Sequence, residues 1–178
     1  MAERPPFIIS TIAASALAAT MIVGCGKEAF DDYKRKSINV EARMNLQAIA
    51  RGAKVYYVSE HMAPGATTVS FNQLPGPRTG PTPPLGTCCT GPSKPKCAPE
   101  AAQWADDPVW QALEFTVDMS HYYSYEYKVT ENGFSAAAYG DLDCDGQYST
   151  FLVTGVVDPA QDDGLLVAPE LIVVKPHE

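Results

Sequence analysis

One run of residues, AFDDYKRKSINVEARMNLQAIARGAKVYY at positions 29–57, limits this chain more than any other. Ala42, Leu46, Ile49, Ala53 and Tyr56 recur at steps of four and three, which places them on one side of a helix with 3.6 residues per turn. Lys34, Arg35, Lys36, Glu41, Arg43 and Arg51 fall largely off that stripe. The pattern predicts a helix over 28–61, ended by Pro64-Gly65, with one face to be buried and the other wet. Gly52 costs about 1 kcal/mol relative to alanine inside a helix. Its presence fits either close packing at that point or simple tolerance.

A helix this one-sided needs a cover, and the later sequence supplies it. Segments 113–117, 122–129, 134–139, 148–157 and 171–174 are rich in β-branched and aromatic residues and are separated by turn formers such as Glu131-Asn132-Gly133. They read as an antiparallel meander laid across the helix, which gives an α+β fold, helix first and sheet after. In an alternating strand Tyr123, Tyr125 and Tyr127 share one face and Tyr122 takes the other. Aromatic residues favour strands for packing reasons, so this stripe reads as core in preference to a ligand platform. The expected organisation is an apolar segment over 1–24, then one domain over 25–178: helix 28–61, a proline-rich stretch 62–110, and the sheet 111–178.

Nine of the fifteen prolines fall between Pro64 and Pro99. A connection this long needs either a function or staples. Cysteines provide staples: with Cys25 set apart at the end of the apolar run, Cys88, Cys89, Cys97 and Cys144 remain. A bridge between the neighbours Cys88 and Cys89 would be strained. Two bridges would therefore share Cys97 and Cys144 between them, one tying the loop to itself and one tying it to the sheet. A zinc site is disfavoured, because CC followed by a lone C with no histidine nearby lacks ligand spacing.

The segment YGDLDCDGQYSTF places Asp141, Asp143, Asp145 and Gly146 in the D-x-D-x-D-G order that opens a calcium loop. The twelfth loop position, where a bidentate Glu belongs, is Leu152. A turn rich in Asp and Gly accounts for most of the motif, and calcium is the alternative. Elsewhere the side chains of catalysis are missing as constellations: His61, His121 and His177 are scattered, and the pairs Asp31-Asp32, Asp106-Asp107 and Asp162-Asp163 are adjacent in sequence. No nucleophile, phosphate loop or dinucleotide fingerprint appears, so the chain is expected to be no enzyme and to carry no cofactor. A net charge of -8 argues against nucleic acid as a partner. Trp104 and Trp110 flank Asp106-Asp107-Pro108 and read as anchors for the exit of the loop.

Residues 7–24 are uncharged and sit at the short end of the ~17–25 residues that a bilayer crossing needs. They end in Ile22-Val23-Gly24-Cys25, which resembles a lipobox and makes Cys25 a candidate for lipidation. A membrane-spanning anchor and an ordinary signal peptide are the other readings of the same residues.

The apolar start running into a long amphipathic helix, together with the proline-rich cysteine loop and the GDLDxDG turn after a YYSY strand, resembles the type IV pilin family and its cysteine-rich relatives. With Phe7 taken as the first mature residue, Ala29, Phe30 and Tyr33 fall in that family's register. Thr11 stands where the family carries a glutamate, and Pro6 where it carries the glycine before the cleavage site. The resemblance implies a structural or adhesive protein of a Gram-negative cell envelope: a minor pilin, pseudopilin or filament subunit. Its partners would be the membrane, through the N-terminal segment or a lipid, and copies of itself or other pilins. The alternative it leaves is an outer-membrane lipoprotein anchored at Cys25, its pilin-like domain serving as a monomeric binding module.

Overall fold

Helix α1 spans Ile12–Val58, in a computed structural model that describes residues 12–62, 65, 67–160 and 164–176, with side chains described from residue 29 onward. The chain divides into two units, the first ending at Ser37 and the second beginning at Ile38. The first is helical from Ile12, well before the start expected at Glu28. Alanine, the strongest helix former, occupies positions 13, 14, 16, 18 and 19, and Gly24 does not interrupt the run. Phe30 and Tyr33 are exposed, and Lys36 pairs with Asp32 at 2.8 Å one turn away.

In the second unit the helix buries Ala42, Leu46, Ile49, Ala50, Ala53 and Tyr57. Tyr57 thus takes the place expected for Tyr56, because a step of four from Ala53 stays nearer the stripe than a step of three. Tyr56 is half-buried and stacks on the His61 ring at 3.9 Å between centroids. The helix stops at Val58, three residues short of the expected end, since His61 leaves it to exchange backbone hydrogen bonds with Ser70 at 2.9 and 2.8 Å.

Among the described residues six antiparallel strands follow: β1 Arg78–Thr82, β2 Tyr123–Thr130, β3 Gly133–Gly140, β4 Ser149–Val157, β5 Leu165–Val167 and β6 Ile172–Val174. The first four lie in sequence order. β5 and β6 both pair with β4, β5 against Gly155, Val156 and Val157, and β6 against Thr150, Phe151 and Leu152. The register sets Tyr125 opposite Ala138 and Tyr127 opposite Ala136, so each large ring has a small residue beside it. Tyr123, Tyr125 and Tyr127 are fully buried in the same core as the helix stripe, joined there by Phe151 and Val153.

Three stretches differ from the expectation, one of them β5, which lies in none of the expected strand segments. Residues 62–110 carry strand β1, a 3-10 turn at Thr87–Cys89 and two short helices, α2 at Ala102–Ala105 and α3 at Pro108–Ala112. Pro81 is accommodated in β1 because that strand is an edge. Residues 113–117 form no strand. Leu113 closes α3 by donating to Val109, Glu114 turns the chain at a φ of 50°, and Phe115 enters an aromatic cluster. Helix α3 starts where Asp107 accepts the N–H groups of Val109 and Trp110, with Pro108 in its first turn.

Gly52 lies where the helix crosses Leu113. A Cβ at this position would collide with the Leu113 carbonyl oxygen. Close packing is therefore the reason for the glycine. Gly52→Ala should lower stability by about 1–3 kcal/mol through overpacking, against the helix-propensity trend. A urea midpoint above that of the wild type would contradict this.

Candidate functional site

The seam between α1 and β2 contains a polar network that the helix stripe alone does not announce. Asn39, buried, accepts from the Tyr123 hydroxyl at 2.8 Å and donates to the Pro176 carbonyl at 2.9 Å. Asn45 donates to the Tyr125 hydroxyl at 2.7 Å, and that hydroxyl donates to Glu41 Oε1 at 3.2 Å. The same carboxylate oxygen accepts the Tyr122 N–H at 2.9 Å. Helix and sheet are therefore held by directed bonds as well as apolar contact. The Tyr123, Tyr125 and Tyr127 stripe is a core and docking feature, and burial pushes the Tyr123 phenol up to about 12.

Burial also raises the Glu41 carboxyl above its ordinary 4.5, against the lowering effects of the Tyr122 N–H and the nearby His121. The folded chain thus holds this proton more tightly than the unfolded chain. The resulting stabilisation is complete below the unfolded pKa and is lost as pH rises through the folded one. Glu41→Gln keeps an acceptor for Tyr122 but does not titrate. The stability of wild type relative to this variant should fall as pH rises from 4.5, as checked by urea unfolding at pH 4 and pH 7. A pH-independent difference would contradict the assignment.

Cys88, Cys89, Cys97 and Cys144 form two disulfides. Cys88 pairs with Cys97 within the loop, and Cys89 pairs with Cys144 in the β3–β4 turn. Cys97 also exchanges backbone hydrogen bonds with His121, beside the start of β2. In the turn, the buried Asp141 accepts the N–H groups of Asp145 at 3.1 Å and Gly146 at 3.0 Å. Asp145 accepts the backbone and side-chain N–H groups of Gln147, which lower its carboxyl pKa. Carboxylate oxygens of Asp141, Asp143 and Asp145 lie within 4.8 Å of one another. Both oxygens of Asp141 are engaged by the turn's own backbone, and Leu152 is inside β4, paired with Ile172. The motif thus has the internal bonding of a side-chain-capped turn.

Cys25 falls within α1, but its side chain lies outside those described. The apolar reading of residues 1–24 likewise falls outside the described side chains. Among the described residues no helix is long and apolar enough to cross a membrane. On the second unit's part of α1, Val40, Met44, Val55 and Val58 are exposed, on the side away from the buried stripe.

Sequence reasoning missed Asn39, Glu41 and Asn45. A signal was present, since the stripe extended back three residues from Ala42 lands on Asn39, a polar residue that burial obliges to find a partner. The phenols of the strand opposite were the partners. Comparison with protein families, with characterised proteins and with solved structures finds no match.

Proposed function

We propose that this chain is a non-enzymatic structural or adhesive protein of a Gram-negative cell envelope, of the type IV pilin kind, which assembles with copies of itself or with other pilins. The observation that carries this reading is the outer side of the helix, where exposed apolar residues stand around Arg51. One side is committed to the sheet, and the other presents Val40, Met44, Val55 and Val58, with Met44 64% exposed. A lone surface apolar residue means little, whereas four on one side of one helix suit contact with a neighbouring helix. The two disulfides fit an oxidising compartment. The net charge of -8 argues against nucleic acid as a partner.

The test is the double variant Met44→Glu, Val55→Glu in the native host. Wild-type chain is expected in sheared high-molecular-weight surface material, and the folded variant in the monomeric fraction. Wild-type chain found only as a monomer would end the assembly reading.

A second reading is favoured by Ile22-Val23-Gly24-Cys25. In it a lipid on Cys25 holds the chain at the outer membrane, and the folded domain acts as a monomeric binding module. Cys25→Ala should then release the chain from membranes, and intact mass should show acylation at that residue. Unchanged membrane retention would remove this reading.

A further inference from the structure

Beside helix α1, on the flank that faces the last strands, the second unit has an open groove of about 330 Å³. Its floor is Ala50 and Val153, each less than 5% exposed, so it reaches down to the core. Val167, Ala168, Pro169 and Leu171 form the far wall. The helix side of its lining carries Gln47, Arg51 and Lys54.

Three properties narrow what could occupy it. The floor and far wall are built from Ala, Val, Leu and Pro side chains, which offer no hydrogen bonds, and the wall's Ala168 N–H is committed to the Thr154 carbonyl at 2.8 Å. A peptide laid there would leave its backbone groups unpaired, at a cost of about 1–3 kcal/mol each. An aliphatic chain loses nothing. The volume lies near the lower end of the ~300–1,000 Å³ typical of small-molecule sites, which leaves room for one chain and not for two.

The third property is charge. The whole chain carries -8, yet residues 42–58 of α1 hold Arg43, Arg51 and Lys54 and no carboxylate. Arg43 stands over the Phe151 ring at 5.5 Å. Arg51 is exposed at the groove and makes no ion pair or hydrogen bond among the described residues. Glu170, the one acidic residue between β5 and β6, is not part of the lining. A guanidinium beside an apolar channel complements an occupant with an apolar body and an anionic end.

We propose that this groove binds a single unbranched aliphatic chain ending in a carboxylate, the chain lying on Ala50 and Val153 and the carboxylate meeting Arg51. The groove lies on the flank of α1 at Gln47, Ala50 and Lys54, while Arg51 stands at its rim, seven positions from Met44 and four from Val55; binding of a small probe by the full chain reads this site without reference to assembly.

Calorimetric titration of the full chain with dodecanoate, kept below its micelle concentration, tests it. Saturable one-to-one binding is expected. Arg51→Gln, a surface change that leaves the core untouched, should weaken it about tenfold through loss of a charge-assisted bond. Ala168→Trp should fill the groove and abolish binding, with circular dichroism confirming that the variant is folded. Uncharged dodecyl maltoside should bind at least tenfold more weakly than dodecanoate. Absence of saturable binding by the wild type would overturn the proposal. So would dodecanoate binding that Arg51→Gln leaves unchanged, since the anionic end would then go unrecognised. Association only with phospholipid vesicles, and not with the single-chain probe, would also overturn it.

Discussion

Replacing Cys89 and Cys144 together by serine is expected to lower the unfolding free energy by about 4 kcal/mol, and replacing Cys88 and Cys97 by about 3 kcal/mol. The order follows from the lengths closed. Cys89–Cys144 spans 55 positions and Cys88–Cys97 spans 9, and the entropy withheld from the unfolded chain grows with the logarithm of the loop. The consequences also differ in place. Cys89–Cys144 ties the proline-rich segment to the turn between β3 and β4, a turn already fixed by Asp141. Its loss should loosen residues 83–97 while leaving the strand registers intact. Domains of ordinary size have only about 5–15 kcal/mol in total, so a loss of 4 kcal/mol is large. Urea unfolding of the two double variants, with hydrogen exchange to locate the loosening, measures both claims. A larger loss from the Cys88–Cys97 pair would invert the ranking and exclude loop closure as the main source.

The elements legible in the sequence were those with a strong period or a long run. The helix stripe at Ala42, Leu46, Ile49 and Ala53 and the alternation at Tyr123, Tyr125 and Tyr127 each place a whole face, and both faces lie where periodicity puts them. What escaped was set by contacts distant in sequence. Strand β1, RTGPT, has no alternation, and its two threonines are separated by Gly80 and Pro81, which disfavour a strand; it exists because Thr79 and Thr82 pair with β2. Strand β5 is three residues long, too short for any period to register. Segment 113–117 has strand composition, yet the left-handed turn at Glu114 and the pull of Phe115 into the tryptophan cluster override it. The cysteine arithmetic left two pairings open, and the fold selects between them by bringing Cys97 back to His121 and Cys89 to the Asp141 turn. For the groove at Arg51 the limit is different. Its far wall comes from residues more than a hundred positions away, so no local pattern could mark it.

Trp110→Ala is expected to cost about 3–5 kcal/mol, the range for removing a large buried ring. Trp110 is fully buried, with its ring 5.3 Å from both Trp104 and Phe115, and Phe115 in turn meets Tyr125 at 5.5 Å. Tyr125 is also the phenol that Asn45 and Glu41 of the helix hold. The cluster therefore connects the exit of the proline-rich segment to the seat of the helix. Trp110 adds one directed bond, from its Nε1 to Thr82 Oγ1 at 2.9 Å, which fastens the edge strand β1. Trp110→Phe keeps most of the ring and loses that bond. It should cost less than the alanine variant, by an amount that separates packing from the single bond, itself about 1 kcal/mol. Thr82→Val supplies the complementary loss. If the cluster acts as a packed unit, Trp110→Ala will shift the unfolding midpoint and also alter the near-ultraviolet signal of the tyrosines in β2. A variant that loses stability with an unchanged tyrosine signal would show that the cluster stabilises the loop exit alone, without reaching the helix seat.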